Sequence, residues 1–244
     1  MKPAIIKWIG LGGASHSPLL FGLYAANIHK ALSYVLIDGK NYRPSQADHE
    51  FFLKQGPKAA VQALLLHSTY PTIQTTPITK FIATNTTDHT IAVEELVNEW
   101  DYVMLFVDNH ETRHLIATHA QTLENVTIIS GAIDADDVHV WVHIRRQGKD
   151  LTRPPLDRFP DINAAPTDLP ESMLRRSGCL EEATTTAGEE RPNYFALLTA
   201  GNLTINALSQ LLTLDESGRA NDFPYEETWF NVRTATAVPT RKEN

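Results

Sequence analysis

Short, nearly continuous apolar runs recur along the chain, and three of them end at a glycine or an aspartate. Such runs are typical of parallel strands that are buried on both faces. They predict strands over residues 5–9, 34–37, 101–107 and 126–129. Apolar and polar residues alternate strictly over 138–144, which predicts a further strand. Shorter β-like runs lie at 73–76, 78–82 and 228–232.

Between these runs the apolar residues take helical spacing. This spacing predicts helices over residues 59–66, 90–100, 109–121 and 194–212, and a shorter one that carries residues 51–53. Pro57 precedes the first of the longer helices, where its missing amide hydrogen costs little. The alternation of strands and helices predicts a single α/β domain over residues 1–244, with a mainly parallel Rossmann-like sheet and helices on both faces.

A glycine-rich turn, Gly-Leu-Gly-Gly-Ala-Ser at residues 10–15, joins the first predicted strand to a helix-like stretch. Glycines allow a tight turn and let the backbone approach a phosphate, and the helix start presents free amide hydrogens to that phosphate. Asp38 ends the second predicted strand, where nucleotide-binding folds place an acid on the ribose hydroxyls. Asp108 ends a later strand at the same predicted edge. The open alternative is a glycine-rich turn that binds no ligand.

Residues 148–192 differ in character from the rest of the chain. They contain five prolines between Pro154 and Pro170, many polar residues, and Cys179. This composition predicts a long, exposed and mobile crossover loop. The tail from Pro239 is predicted to be frayed.

Charge and composition exclude several classes of function. The formal net charge is −8 and no block of lysine or arginine occurs, which argues against nucleic acid or an anionic membrane as the main partner. ATP needs only a local positive pocket and stays possible. Cys179 is the only cysteine, so disulfides and cysteine-rich zinc sites are excluded. We find no signal peptide and no membrane-spanning run, and we expect a cytoplasmic protein.

Five stretches occur in a characteristic order along the chain. They are the glycine turn at 10–13, Ile-Asp at 37–38, Ser-Gln-Ala-Asp-His-Glu at 45–50, Gly-Pro-Lys at 56–58 and Asp-Asn-His-Glu-Thr-Arg at 108–113. Ser-Gly-Ala at 130–132 fits the same pattern. Together they resemble the ThiF/MoeB-like, ubiquitin-activating family of adenylating enzymes. The resemblance covers residues 6–146 and resumes over 179–232.

This resemblance implies ATP-dependent adenylation of the C-terminal glycine of a ubiquitin-like or sulfur-carrier protein with a β-grasp fold. Asp38 would hold the ribose, Lys58 would neutralise phosphate charge, and Asp108 would hold Mg²⁺. The remaining positions implied for the nucleotide are Gly10, Gly12, Gly13 and Gln46. A homodimer is also implied. The alternatives from the residues themselves are strand-end caps for both aspartates and a solvated lysine at the start of a helix.

Several positions depart from the family pattern. His49 stands where the family has a phosphate-contacting arginine, and a neutral imidazole supplies neither the fork nor the fixed charge of a guanidinium. Gln46 replaces an asparagine, and Lys40 occupies the second acidic position of Asp-x-Asp. Arg43 is a candidate for the missing charge. A catalytically reduced homologue that only binds a partner is therefore the main alternative.

Cys179 falls where many family members carry a cysteine in the crossover loop. By that resemblance it would form a thioester or a persulfide intermediate. Nearby arginines at 175, 176 and 191 would favour its thiolate form. The alternative is an incidental cysteine in a loop.

The residues allow three further interpretations. Residues 110–114 read His-Glu-Thr-Arg-His and formally match a zinc peptidase motif, but they directly follow a predicted strand and no third ligand follows. His139 and His143 share the outer face of the alternating strand with Trp141, and a solvated or packed face explains them better than a metal. An NAD-dependent oxidoreductase would use the same glycine turn, yet the sequence shows no catalytic set at a recognisable spacing.

Overall fold

The computed structural model describes residues 4–12, 16–27, 32–42, 54–167 and 193–241, and its centre is one large β-sheet. The strands are β1 (Ala4–Ile9), β2 (Leu32–Ile37), β3 (Asn41–Tyr42), β4 (Gly56–Pro57), β5 (Gln74–Ile78), β6 (Phe81–Ala83), β7 (Thr90–Ala92), β8 (Tyr102–Leu105), β9 (Val126–Asp134), β10 (Asp137–Arg146), β11 (Lys149–Asp150), β12 (Tyr225–Asn231) and β13 (Thr236–Arg241). The helices are α1 (Ser17–Asn27), α2 (Lys58–Thr69), α3 (Val93–Leu96), α4 (His110–Ala120), α5 (Pro155–Arg158), α6 (Pro160–Asn163) and α7 (Tyr194–Glu216), followed by a 3-10 turn at Ala220–Asp222.

The main sheet has a parallel half and an antiparallel half. Its strands lie in the order β13-β12-β10-β9-β8-β1-β2-β5, with β11 paired to β10. Neighbours from β9 to β5 pair in parallel, whereas β9, β10, β12 and β13 pair in antiparallel fashion. The α/β fold class is confirmed. The antiparallel half adds a long meander to the predicted parallel sheet.

Parallel pairing brings several strand ends to one edge. Ile9 at the end of β1 lies opposite Ile37 on one side and Leu105 on the other. The residues that follow β1, β2 and β8 therefore leave the sheet side by side. This carboxyl edge is where open α/β sheets bind their ligands.

Helices cover both faces of the sheet. Buried side chains of α1, α2 and α7 form one core with the sheet, and those of α3 and α4 form the second core on the opposite face. The central strands β1 and β8 are largely buried for this reason. Gly201 lets α7 approach the start of α1 closely, because a Cβ there would lie 2.4 Å from Nε2 of His16 and 2.6 Å from Oγ of Ser17.

Among the described residues, α7 alone is long and apolar enough to cross a membrane by composition. Half of its apolar window is buried inside the protein. It packs against β9 and β10. Such burial is typical of a core helix in an α/β domain, and a core helix can have the same length and composition as a membrane-spanning one.

Three sequence predictions are wrong in detail. Residues 90–100 do not form one helix, because Thr90–Ala92 pairs with β6 and α3 lasts a single turn. The described part of the predicted mobile loop, up to residue 167, is not wholly exposed, because it forms α5 and α6 and Ile162 of α6 is 2% exposed. The tail does not fray before Arg241, since β13 pairs with β12 along its length. Residues 51–53 and 168–192 lie outside the described residues.

Candidate functional site

The glycine turn after β1 is shaped by one residue that must be glycine. Gly10 has φ +82°, and a Cβ there would lie 2.8 Å from the backbone carbon and oxygen of Phe106. Its amide donates to the carbonyl of Ile37 at 3.0 Å. The turn therefore passes directly over the end of β8. Gly12 follows in the same bend, and Gly13 lies outside the described residues.

Asp38 joins the glycine turn to the end of β2. Its Oδ2 accepts the amide hydrogen of Leu11 at 2.7 Å, and its Oδ1 accepts that of Lys40 at 2.8 Å. The carboxylate thus caps the strand end, as one of the sequence interpretations held. Each oxygen has a second lone pair, so a ribose hydroxyl could still donate to Asp38. The ribose role stays a prediction.

A buried polar pair beneath the turn was missed by the sequence analysis. The hydroxyl of Tyr42 donates to the carbonyl of Leu11 at 3.0 Å and accepts from Nε2 of Gln62 at 2.9 Å. Both side chains are buried. Nothing in the local sequence marks them, because Tyr42 lies in a polar connection and Gln62 on a helix of ordinary composition.

Lys58 is buried at the first position of α2, with 3% of its surface exposed. Its Nζ lies 5.2 Å from the centroid of the Tyr42 ring, a distance at which an ammonium is attracted to an aromatic face. Its amide donates to the carbonyl of Lys40 at 2.9 Å. The interpretation of Lys58 as a solvated lysine is therefore wrong. A buried ammonium beside the turn is well placed to meet an anion.

Asp108 follows β8 and faces Lys40. Its Oδ2 lies 3.6 Å from Nζ of Lys40, with 18% and 29% of the lysine and aspartate side chains exposed. Asp108 does not cap α4, because Asn109 does so by accepting the amide hydrogen of Thr112 at 2.8 Å. Arg113 fixes the same loop, since its guanidinium donates to the carbonyl of Val107 at 2.8 Å.

These contacts bring the described candidates to one place. Gly10, Asp38, Lys58 and Asp108 are linked through Leu11, Tyr42 and Lys40 at the carboxyl edge of the parallel strands. The two lysines, Lys40 and Lys58, supply positive charge there, which would attract the negatively charged phosphates of a nucleoside triphosphate. Gln46, His49, Arg43 and Cys179 lie outside the described residues, so their relation to this edge stays a prediction.

The donor set for a metal is small. No group of three His, Cys, Asp or Glu side chains within the described ranges could hold an ion. Mg²⁺ in nucleotide sites is commonly held by one or two carboxylates, with phosphate oxygens completing its shell. Asp108 fits that limited role. The ammonium of Lys40, which pairs with the Asp108 carboxylate, would compete with the ion for it.

Three histidines of the candidate motifs contact other protein groups. His114 of the His-Glu-x-x-His match lies 2.8 Å from the carbonyl of Ile162, which ties α4 to α6. His143 is fully buried and lies 3.0 Å from Asp150. His139 stacks on Trp229 with ring centroids 3.9 Å apart and pairs with Glu227. Burial lowers the pKa of His139 despite the neighbouring Glu227 carboxylate. The packed-face interpretation of His139 and His143 agrees with these contacts.

Comparison with known proteins shows similarity of fold. No family model and no curated protein matches the chain. The solved structure of E. coli MccB with ATP aligns with a TM-score of 0.66 at 10% identity, covering 100% of this chain and 65% of that chain. MccB with AMPCPP and MccA aligns with a TM-score of 0.64 at 11% identity, covering 99% and 64%. PaaA aligns with a TM-score of 0.60 at 10% identity, covering 98% and 64%.

The chain thus spans less than two thirds of these neighbours' length, at most 65% in the three comparisons described. At such identities the likeness establishes the fold, which this chain shares with MccB and PaaA, and leaves chemistry to the site itself.

Proposed function

We propose that this chain binds ATP at the carboxyl edge of its parallel strands and uses it to adenylate the C-terminal carboxylate of a protein or peptide. The observation that carries the proposal is the meeting of Gly10, Asp38, Lys58 and Asp108 at that edge. Two further facts support it. MccB, which has this fold, has been solved with ATP, and the order of the motifs resembles that of adenylating enzymes.

In the proposed reaction a carboxylate oxygen of the partner attacks the α-phosphorus of ATP. The new phosphorus–oxygen bond forms as the bond to pyrophosphate breaks, which leaves an acyl-adenylate. The chain would contribute mainly position and charge. The glycine turn at 10–13 would hold phosphates, Asp38 the ribose, and Lys58 would balance phosphate charge. Gln46 and His49 are assigned to the same site by resemblance alone.

Asp108 would hold Mg²⁺ together with phosphate oxygens of the nucleotide. Bound there, the ion would neutralise charge on the phosphates. Within the described ranges no group of three His, Cys, Asp or Glu side chains could hold an ion, so phosphate oxygens and water would complete the shell, as is usual for Mg²⁺.

The partner is proposed to present a free C-terminus. MccB has been solved with MccA, so a protein of this fold does receive another chain. The first candidate for this chain is a ubiquitin-like or sulfur-carrier protein of β-grasp fold that ends in glycine, as the resemblance implies. We also expect a homodimer in the cytoplasm, with no membrane or nucleic-acid partner, and light scattering on the purified chain measures the oligomeric state.

The test is ATP:pyrophosphate exchange with purified protein, Mg²⁺ and candidate carriers ending in Gly-Gly. Wild-type protein should exchange only when the carrier has a free C-terminal carboxylate. Asp108→Asn should lower the rate about 100-fold or more, as loss of a charge-stabilising group does. Asp157→Asn removes a charge from an exposed residue of α5 and should leave exchange unchanged.

A wild type that shows no exchange with any carrier and no ATP binding by calorimetry would overturn the proposal. The chain would then be a non-catalytic module of the same fold. Exchange that survives Asp108→Asn at full rate would contradict the assigned site while leaving adenylation itself intact.

Transfer to Cys179 is a separate proposal. The thiolate would attack the acyl carbon of the adenylate, a carbon–sulfur bond would form, and AMP would leave with the oxygen. Cys179→Ala should keep pyrophosphate exchange and abolish a thiol-sensitive adduct with the carrier. An adduct that persists in this variant would assign the cysteine no role.

A further inference from the structure

Lys40 holds a position that the sequence pattern alone left unexplained. Its ammonium lies 3.6 Å from Oδ2 of Asp108, although the two residues leave different strands, β2 and β8. Both strands pair with β1, so the ion pair spans the end of β1 and the glycine turn that follows it. Lys40 therefore sits beside the one described carboxylate assigned to a metal.

The backbone of Lys40 is fixed from three sides. Its amide donates to Oδ1 of Asp38 at 2.8 Å, and its carbonyl accepts from the amide of Lys58 at 2.9 Å. Immediately before it, Gly39 packs so closely on Phe81 that a Cβ would lie 2.5 Å from the ring. This bracing aims the side chain across the edge of the sheet, so the pairing with Asp108 follows from the path of the chain.

One backbone amide of the glycine turn is already used within the protein. The amide of Leu11 is already bound to Oδ2 of Asp38 at 2.7 Å, so this amide is not directed at a phosphate. Side chains can supply further positive charge for a triphosphate, and the described residues place Lys58 and Lys40 there. A carboxylate paired to an ammonium also binds a divalent cation less readily, because the two cations compete for it.

We propose that Lys40 competes with Mg²⁺ for Asp108 and supplies charge to the phosphates of the nucleotide, so that ATP binding by this chain depends only weakly on Mg²⁺. The inference rests on the proposed ATP site and adds to it a residue that sets the metal requirement. Lys40 acts through its charge on Asp108 and on the phosphates.

The test is calorimetric titration of the full chain with ATP, once with excess Mg²⁺ and once with EDTA. For the wild type, the dissociation constant in EDTA should exceed that in Mg²⁺ by about fivefold or less. Lys40→Met keeps the length of the side chain and removes its charge. It should raise that ratio about tenfold, a change equivalent to about 1.4 kcal/mol.

Two controls separate a charge effect from damage to the fold. Lys40→Arg keeps the charge and should keep the wild-type ratio. Lys149→Met makes the same charge change in the exposed β11 hairpin, at the opposite edge of the sheet, and should also match the wild type.

The outcomes distinguish this inference from the function on which it rests. Equal Mg²⁺ dependence in the wild type and Lys40→Met overturns the role of Lys40 while ATP binding stands. A wild type whose ratio of dissociation constants is already as high as that expected for Lys40→Met likewise overturns the role of Lys40. No ATP binding by the wild type in either buffer overturns both proposals.

Discussion

Replacing Gly10 by alanine tests how the glycine turn is built. Two costs are expected at this residue. Its φ of +82° lies in the left-handed region, and the new Cβ would approach the Phe106 carbonyl carbon and oxygen to 2.8 Å and the Val107 amide nitrogen to 2.9 Å. Those atoms belong to backbone at the end of β8 and cannot rotate away. Gly148 offers a matched control, because its φ is +70° and a Cβ there would meet nothing within 4 Å.

The two costs can be separated by magnitude. A left-handed backbone costs an alanine about 1–2 kcal/mol, partly offset by about 0.4–1 kcal/mol from the stiffer unfolded chain. Crowding against fixed atoms adds about 1–3 kcal/mol. We therefore expect Gly148→Ala to lose about 1 kcal/mol of unfolding free energy and Gly10→Ala about 2–4 kcal/mol. In a domain of this size the difference lowers Tm by about 2–12 °C.

Urea denaturation followed by circular dichroism measures both variants, and a thermal melt checks the order. A midpoint for Gly10→Ala that coincides with that of Gly148→Ala would refute the close approach of the turn to β8. A new Cβ would meet backbone atoms of Phe106 and Val107 at Gly10 and nothing within 4 Å at Gly148.

Two further predictions concern buried polar groups. Tyr42→Phe removes the buried hydroxyl that bonds to the Leu11 carbonyl and the Gln62 amide, and it should cost about 1–3 kcal/mol in urea denaturation. Tyr194→Phe, at an exposed site, should cost almost nothing. Burial lowers the pKa of His139 in the folded state. The Glu227 carboxylate raises this pKa, and the positive charges of Arg113 and Arg158 lower it further. Unfolding should therefore take up a proton, and stability should fall as the pH drops through about 6.5, the ordinary histidine value. His139→Gln should flatten this pH dependence in denaturation series, and an unchanged slope would contradict the assignment.

The apolar runs identified the strands well where both faces are buried. β1, β2, β8 and β9 all lie within or around the predicted runs, because helices on both faces of a parallel sheet favour apolar residues at most positions. The prediction of one helix over residues 90–100 was wrong for a physical reason. Ile91, Val93, Leu96 and Val97 fit helical spacing, yet pairing of β7 with β6 outweighs that local preference.

Order along the chain also predicted much of the site. Gly10 and the two aspartates were found because each directly follows a buried strand, whereas Lys58 was implied by the family resemblance alone. The pairing of Lys40 with Asp108 was beyond reach of the sequence, since nothing local relates the two residues. Tyr42 and Gln62 were missed because their role is a hydrogen-bonded chain to the carbonyl of Leu11, a residue distant from both in sequence.

The sequence by itself thus determined the fold class, the parallel strands and the residues that stand at their ends, because burial and turn chemistry are local demands on residue type. Tertiary structure alone decided which of those ends meet. The order of strands places β1 between β2 and β8, and this brings Lys40 to Asp108 and sets Asp38 on the glycine turn. Contacts between distant segments depend on topology and register, and a hydrophobic pattern is the same for many registers.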